Sequence, residues 1–259
     1  MNRSSETESS DGVPLDDPER LHCADRELEQ ARSDLQQFVH AASHDLQGPL
    51  RLISGFAQLL RNRYRGTLDG KADEFLDIIN NETRRMQAML QGLTELSRVE
   101  SRGAPFVPTS LDKALDQALD SLRDEIRDTG AIVHREPLTT VVADPSQMTQ
   151  LFRHLTGNAL RFRGDAPPEV RIRGERRGDT RVITVRDNGI GIPERFAERV
   201  FVVFQKLHPH GRYPGTGIGL TVCKRIVERH GGRIWVKPGD GSGAMLCFSL
   251  PERIRGTAP

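Results

Sequence analysis

The sequence predicts a chain of class α followed by α/β. Two long helices form a hairpin that pairs with a second copy as a dimeric four-helix bundle, and a mixed α/β layer follows. Three observations carry this. Apolar residues recur at helical spacing from Pro18 through Leu60 and again from about Lys71 to Glu100. The segment RNRYRGTLDG, residues 61–70, breaks the period and supplies turn glycines. Beyond SRGAPFVP, residues 101–108, short β-patterned runs alternate with helical ones.

The first 16 residues are polar, acidic and serine-rich, the composition of a disordered tail. From Pro18, Leu21, Leu28 and Leu35 recur every seven residues, with Ala24, Ala31 and Phe38 three later, which is a short a/d seam. The pattern continues through Leu46, Leu50, Ile53 and Leu60, and Pro49 inside it predicts a kink. The second helix carries Phe75, Ile78, Ile79, Met86, Met89, Leu90 and Leu93 as its apolar stripe. One hairpin cannot bury both stripes, so a homodimer is expected. Residues 17–101 are thus read as a dimerisation hairpin with an N-terminal coil, 102–108 as a linker, 109–253 as a separate domain and 254–259 as a tail. Within 109–253 the pattern predicts helices at 111–128, 145–163 and 217–230. It predicts strands at 131–135, 139–143, 169–176, 180–187, 232–237 and 243–250, with turns such as RRGD favouring antiparallel pairing.

Composition narrows the function classes. Lys and Arg total 37 against 36 Asp and Glu, a net charge of +1, so no global field favours nucleic acid or a membrane surface. No apolar run approaches the roughly 20 residues that span a bilayer, and MNRSSETESSDG has no apolar core of a signal peptide. Cys23, Cys223 and Cys247 have neither metal spacing nor a disulfide framework. A soluble, cytoplasmic protein is expected.

Two glycine-rich segments carry the chemistry. Residues 187–192 read DNGIGI and residues 215–220 read GTGIGL, just ahead of the helical TVCKRIVERH. A carboxylate at Asp187 can accept from an adenine amino group. Gly189 and Gly191 let the backbone lie against a ring, and N–H groups at the following helix start suit phosphate oxygens. Upstream, in LFRHLTGNALRFRG, Leu151, Leu155 and Phe162 face the core. Asn158 falls on another side with His154 and Arg161 near it. Asn158 offers a carbonyl oxygen to Mg²⁺, and Arg161 can neutralise phosphate. Far upstream, His44-Asp45 lies in the first helical pattern, and a nucleotide site with such a histidine suggests phosphoryl transfer to the histidine. His40 and His44 form HxxxH, but no third metal ligand is apparent.

Over roughly residues 30–250 the chain resembles the transmitter region of two-component sensor histidine kinases, whose ATPase domain has the Bergerat fold of the GHKL superfamily. HDLQGPL resembles the H box, LFRHLTGNALRF the N box, DNGIGI the G1 box, FVVFQKLH the F box and GTGIGL the G2 box, in the family's order. The style is similar to that of phytochrome-type kinases, whose H box reads HDLQEPL and whose last helix ends ERHGGRIW, as here at 228–235. The resemblance implies His44 as phosphoacceptor, Asp45 as its base, Asn158 as Mg²⁺ ligand and Asp187 as adenine reader. Gly189, Gly191, Gly215, Gly217 and Gly219 would shape the ATP pocket, joined by Arg161, Lys206, Thr216 and Leu220. Residues from about 193 to 214 would form a mobile lid. It also implies a response regulator receiver domain as partner.

Three positions depart from the family pattern. His154 stands where the N box has a further asparagine, and imidazole is a poorer Mg²⁺ partner. Arg161 replaces a lysine. Gly48 stands where related kinases carry a polar residue, four after the histidine, that orients the water hydrolysing the regulator's aspartyl phosphate. Two rivals stand beside the kinase reading. A clamp-type GHKL ATPase would make no acid-labile phosphoprotein, and a non-catalytic scaffold would keep the fold without turnover. No sensor domain is recognisable in the first 20 residues, so input is expected from a partner, from the N-terminal coil or from a domain outside this chain.

Overall fold

The computed structural model describes residues 18–64, 66–67, 70–101, 103–207, 213, 215–237 and 243–252. The chain divides between Phe38 and Val39 into two units. Helix α1 spans Pro18–Tyr64 and is continuous through Pro49. The side chains of Leu21, Cys23, Ala24, Leu28 and His40 lie outside the described residues, as do both tails. In the second unit α1 buries Ser43, Leu50 and Ala57, a strict seven-residue spacing. Helix α2, Gly70–Ser101, buries Leu76, Asn80 and Thr83. Arg61 pairs with Asp77 at 2.9 Å across the hairpin. Between the helices Gly66 and Thr67 form a turn, in which Thr67 N–H donates to Tyr64 O. The apolar stripe expected on α2 is largely uncovered in the single chain. Phe75, Ile78, Ile79 and Met86 are exposed, as are Leu52, Ile53, Phe56 and Leu59 of α1.

The α/β part opens with a strand that begins inside the stretch read as linker. Strand β1, Val107–Ser110, pairs antiparallel with β3, Thr140–Ala143, as a separate two-stranded sheet. The expected helix at 111–128 is two helices, α3 at Leu111–Ser121 and α4 at Arg123–Thr129. They divide at Leu122, where Ser121 Oγ donates back to Ala118 O. Strand β2, Ile132–Arg135, is parallel to β4, Glu169–Arg177, contrary to all-antiparallel pairing. The rest of the sheet is antiparallel. Strand β5, Thr180–Asp187, pairs with β4 and with β7, Met245–Pro251, and β6, Arg233–Val236, pairs with β7, giving the order β2-β4-β5-β7-β6. Helices α5, Pro145–Arg161, and α6, Gly219–Arg229, together with α3 form the helical layer. The core lies between layers, with Phe152 of α5 edge-on to Phe248 of β7 at 5.9 Å.

Asp144 shows how the sequence starts α5. It is fully buried, its Oδ1 accepts the N–H groups of Ser146 and Gln147, and Pro145 supplies a preset first turn. Burial opposes its charge, but these bonds and that of Ala104 N–H outweigh it and hold the carboxyl below its usual value. The same residue ties down the segment between α2 and β1. Arg229 reaches Asp144 Oδ2, Gln147 Oε1 and Ala104 O, and stacks over Phe106 at 4.5 Å. Gln147 Nε2 donates to Val99 O at the end of α2. His230 completes the clamp. Its Nε2 accepts Asp144 N–H and its Nδ1–H donates to Ile226 O, which fixes the neutral tautomer, and burial lowers its pKa further.

Candidate active site

A cavity of about 440 Å³ opens between α5, α6, the end of β5 and α2, a size suited to a nucleotide-scale ligand. Ten of the residues singled out in the sequence line it: Asn158, Arg161, Asp187, Gly191, Lys206, Gly215, Thr216, Gly217, Gly219 and Leu220. Gly189 lies just behind the wall, where a Cβ would run into the carbonyl oxygen of Phe162, the acceptor of Ile190 N–H. Glycine is thus required there by close backbone approach. At Gly217 it is required by a φ of +76°, with a Cβ 2.9 Å from Gln205 O.

Asp187 sits at the end of β5. Its Oδ1 accepts Gly189 N–H and Ala244 N–H, both at 2.9 Å, so Oδ2 is the oxygen left for a ligand. Burial raises its pKa against the lowering effect of those two bonds and of Arg186. Gly243, whose Cβ would strike Asp187 O, completes this corner. The sequence reading missed it, although a further glycine directly after PGDGS is a signal of close approach. At the other end Arg161 Nη1 comes within 3.5 Å of where a Gly215 Cβ would lie. The Lys206 pKa is lowered, first by burial and then by Arg85 and Arg161, with Glu82 opposing. Arg161 and Lys206 both line the cavity with the 215–220 glycine segment, while Arg85 of α2, within electrostatic reach of Lys206, is paired with Glu82 at 3.3 Å.

His154 lines the cavity and is tied to α2. Its Nε2–H donates to Glu95 of α2 at 3.0 Å, and its Nδ1 lies 3.2 Å from where a Gly219 Cβ would lie. Gln150 and Arg153 converge on the same carboxylate at 3.2 and 3.3 Å. Burial opposes the Glu95 charge, but His154, Arg153 and Gln150 outweigh it and lower its pKa. Glu95 had no sequence signal beyond being a charged residue on a helix.

His44 and Asp45 are set apart from the cavity. Both lie on α1 and are about 80% exposed, with His44 Nδ1 3.3 Å from Asp45 Oδ1. If Nδ1 carries the proton toward that carboxylate, Nε2 presents its lone pair to solvent. In the stretch expected to form a lid, two 3-10 turns at Glu194–Phe196 and Arg199–Phe201 are described, and Phe204 N–H donates to Gly217 O. His208 and His210 lie outside the described residues.

Known proteins share these parts. Residues 34–102 match the family described as the His Kinase A (phospho-acceptor) domain. Residues 143–254 match the histidine kinase-, DNA gyrase B- and HSP90-like ATPase family. Cyanobacterial phytochrome A of Nostoc sp. is 43% identical over 225 residues, which are 87% of this chain and 29% of that protein. The chain thus spans less than a third of that relative. Among solved structures, full-length ShkA in complex with AMPPNP has a TM-score of 0.62 at 21% identity, over 85% of this chain and 47% of that one. Histidine kinase ThkA in complex with response regulator protein TrrA has a TM-score of 0.62 at 21% identity, over 96% of this chain and 70% of that one. These two likenesses establish the fold, a helical hairpin followed by an α/β ATPase layer. With a phosphoacceptor domain and an ATPase domain matched in this order on one chain, the protein belongs to the sensor histidine kinases, as a transmitter region.

Proposed function

We propose that the chain transfers the γ-phosphoryl group of ATP to Nε2 of His44 and then passes it to an aspartate of a response regulator receiver domain. The observation that carries this reading is the convergence of ten sequence-flagged residues on one cavity, on a chain whose exposed His44 belongs to a phosphoacceptor match. Asp187 Oδ2 accepts from the adenine amino group. The 215–220 backbone and the Arg161 and Lys206 charges take the phosphates. Nε2 attacks the γ-phosphorus in line, the bond to the β-bridging oxygen breaks and ADP leaves. Asp45 holds the Nδ1 proton and offsets the positive charge that grows on the ring as the N–P bond forms.

The donor set fits a Mg²⁺ that arrives on the nucleotide. Asn158 is a single neutral oxygen donor at the cavity, and no cluster of three or more His, Cys, Asp or Glu side chains capable of holding a metal occurs among the described residues. When bound, Mg²⁺ would neutralise phosphate charge, with Asn158 as its protein ligand. The domains act as residues 17–101 for dimerisation and phosphoacceptance and 109–253 for ATP binding, and the exposed apolar stripe of the hairpin supports a homodimer. AMPPNP in ShkA and the response regulator in ThkA support the two ligands by likeness of fold. No described helix is long and apolar enough to cross a membrane; use of ATP, a nucleotide of the cytoplasm, supports a cytoplasmic site of action.

The test is incubation with labelled ATP and Mg²⁺, followed by acid and by candidate receiver domains. Acid-labile label on His44 that moves to a receiver is the expected result. ATP hydrolysis without protein label would instead favour a clamp-type ATPase.

A further inference from the structure

The hairpin does more than carry His44. Helix α2 forms a wall of the nucleotide cavity through Ala88, Gln91, Gly92 and Glu95, whereas α1 contributes no residue to it. The wall stands at the phosphate end. Gly92 lies against Ile218, inside the second glycine segment, so closely that a Cβ on residue 92 would come 2.8 Å from Ile218 Cδ1. One turn on, Glu95 gathers Gln150, Arg153 and His154, three side chains from a single face of α5. His154 in turn borders Gly219. The α5 helix is thereby fastened to α2 one turn before Asn158. The His44 imidazole, on the other helix, is about 80% exposed.

We infer that Glu95 is a positioning residue that holds the ATPase domain docked on α2 in an arrangement that cannot phosphorylate His44, so that release of α5 from this carboxylate precedes transfer. The inference rests on His44 being the phosphoacceptor. Helix α2 lies against the glycine segment that takes the phosphates, while His44, on α1, is exposed and does not line the cavity. His154 gives the departure from the family's asparagine a role: imidazole is long enough to reach Glu95 while remaining beside Gly219. The contact consists of charged and polar groups at a partly exposed edge, the class of interaction that a small change in α2 can make or break.

A cross-link reads the docked state directly. The Cβ of a residue at 92 would lie 3.1 Å from Ile218 Cβ, close to the roughly 3.5–4.5 Å of disulfides, and Gly92→Cys with Ile218→Cys exchanges a bulky neighbour for a small one. In the full chain this pair should oxidise readily. Oxidation should suppress His44 labelling at least tenfold, and a thiol reductant should restore it. Adding Glu95→Gln should slow cross-linking several-fold. Without the cysteine pair, Glu95→Gln should speed His44 labelling several-fold, and Arg153→Ala should do the same. The two substitutions combined should give little more than either alone, because both open one contact. Equal labelling of oxidised and reduced protein overturns the inference, as does a cross-linking rate indifferent to Glu95→Gln. If unmodified protein never labels His44, the kinase reading fails, while the cross-linking rate still reports whether Glu95 holds the dock.

Discussion

Asp187 Oδ1 accepts the backbone N–H of Ala244 at 2.9 Å, so the carboxylate at the end of β5 is held by the chain entering β7. Burial raises its pKa above the usual 3.8. The folded state therefore holds the proton more tightly than the unfolded chain does. The resulting loss of stability begins as pH rises past the unfolded value and is complete above the folded one. Asp187→Asn removes that cost at neutral pH, and its amide oxygen can still accept both N–H groups. The nucleotide-free variant should melt higher, by about 2–4 °C per kcal/mol recovered. ATP affinity should nevertheless fall about tenfold or more, since losing 1.4 kcal/mol is a factor of ten. In the parent protein ATP binding should weaken as pH falls through the raised pKa, and in the variant that dependence should flatten. Calorimetric melting and nucleotide titration across pH check both.

His44→Gln should abolish acid-labile labelling and leave ATP affinity intact, because residue 44 lies outside the cavity. Asp45→Asn should keep the fold and slow labelling by roughly 10²–10⁴-fold, the range of general-base contributions. Rapid-quench labelling measures both, and an unchanged rate in Asp45→Asn would remove this carboxylate from the mechanism.

Gly217→Ala should lose nucleotide binding through its backbone. At φ +76° an L-residue costs about 1–2 kcal/mol, and the added methyl meets Gln205 O and the Phe204 backbone. A lower melting temperature together with lost ATP binding is expected. Normal affinity would show that the 215–220 segment does not take the phosphates.

Gly48 tolerates a side chain, since a Cβ there meets nothing within 4 Å. Gly48→Ala should stabilise α1 by about 0.5–1 kcal/mol, read from urea unfolding. Glycine lacks the polar group that would orient a hydrolytic water, so the parent protein should dephosphorylate its phosphorylated regulator weakly. Gly48→Thr should raise that rate in the presence of ADP. Fast dephosphorylation unaffected by Gly48→Thr would show that this residue does not set the balance.

Phe56→Glu with Ile78→Glu should convert a dimer to a monomer at micromolar concentration. Both side chains are exposed in the single chain and need no rearrangement to accept charge. Sedimentation of the full chain decides this, and a parent protein that is already monomeric would contradict the bundle.

The helices, most strands and the cavity residues were legible because each has a local signature: a 3.6-residue period, a two-residue alternation, a glycine where backbone must approach backbone. Three features were not. The parallel pairing of β2 with β4 depends on a crossover whose direction no local pattern encodes. Strand β1 is four residues long and lies in a proline-bearing stretch, so its pairing with β3 outweighs its own propensity. Glu95 matters only because folding brings α5 against α2, a contact separated by 59 residues in its His154 arm. Pro49, where a kink was expected, lies inside α1 without ending it.

The bond from Gln147 to Val99 O sits one helical turn beyond Glu95, about 6 Å along α2. Together with the Arg229 grip on Ala104, it makes the end of α2 a hinge pin rather than a slack tether. Bolt and hinge are then nearly adjacent, and each part of the ATPase domain turns about them through an arc that grows with its distance from the pin. A twist of α2 small enough to part only the Glu95 contacts would be amplified at the parts farthest from it. Mechanical gain of this kind would let a modest torque arriving along the hairpin decide whether the phosphate end of the cavity faces α2 or swings clear of it.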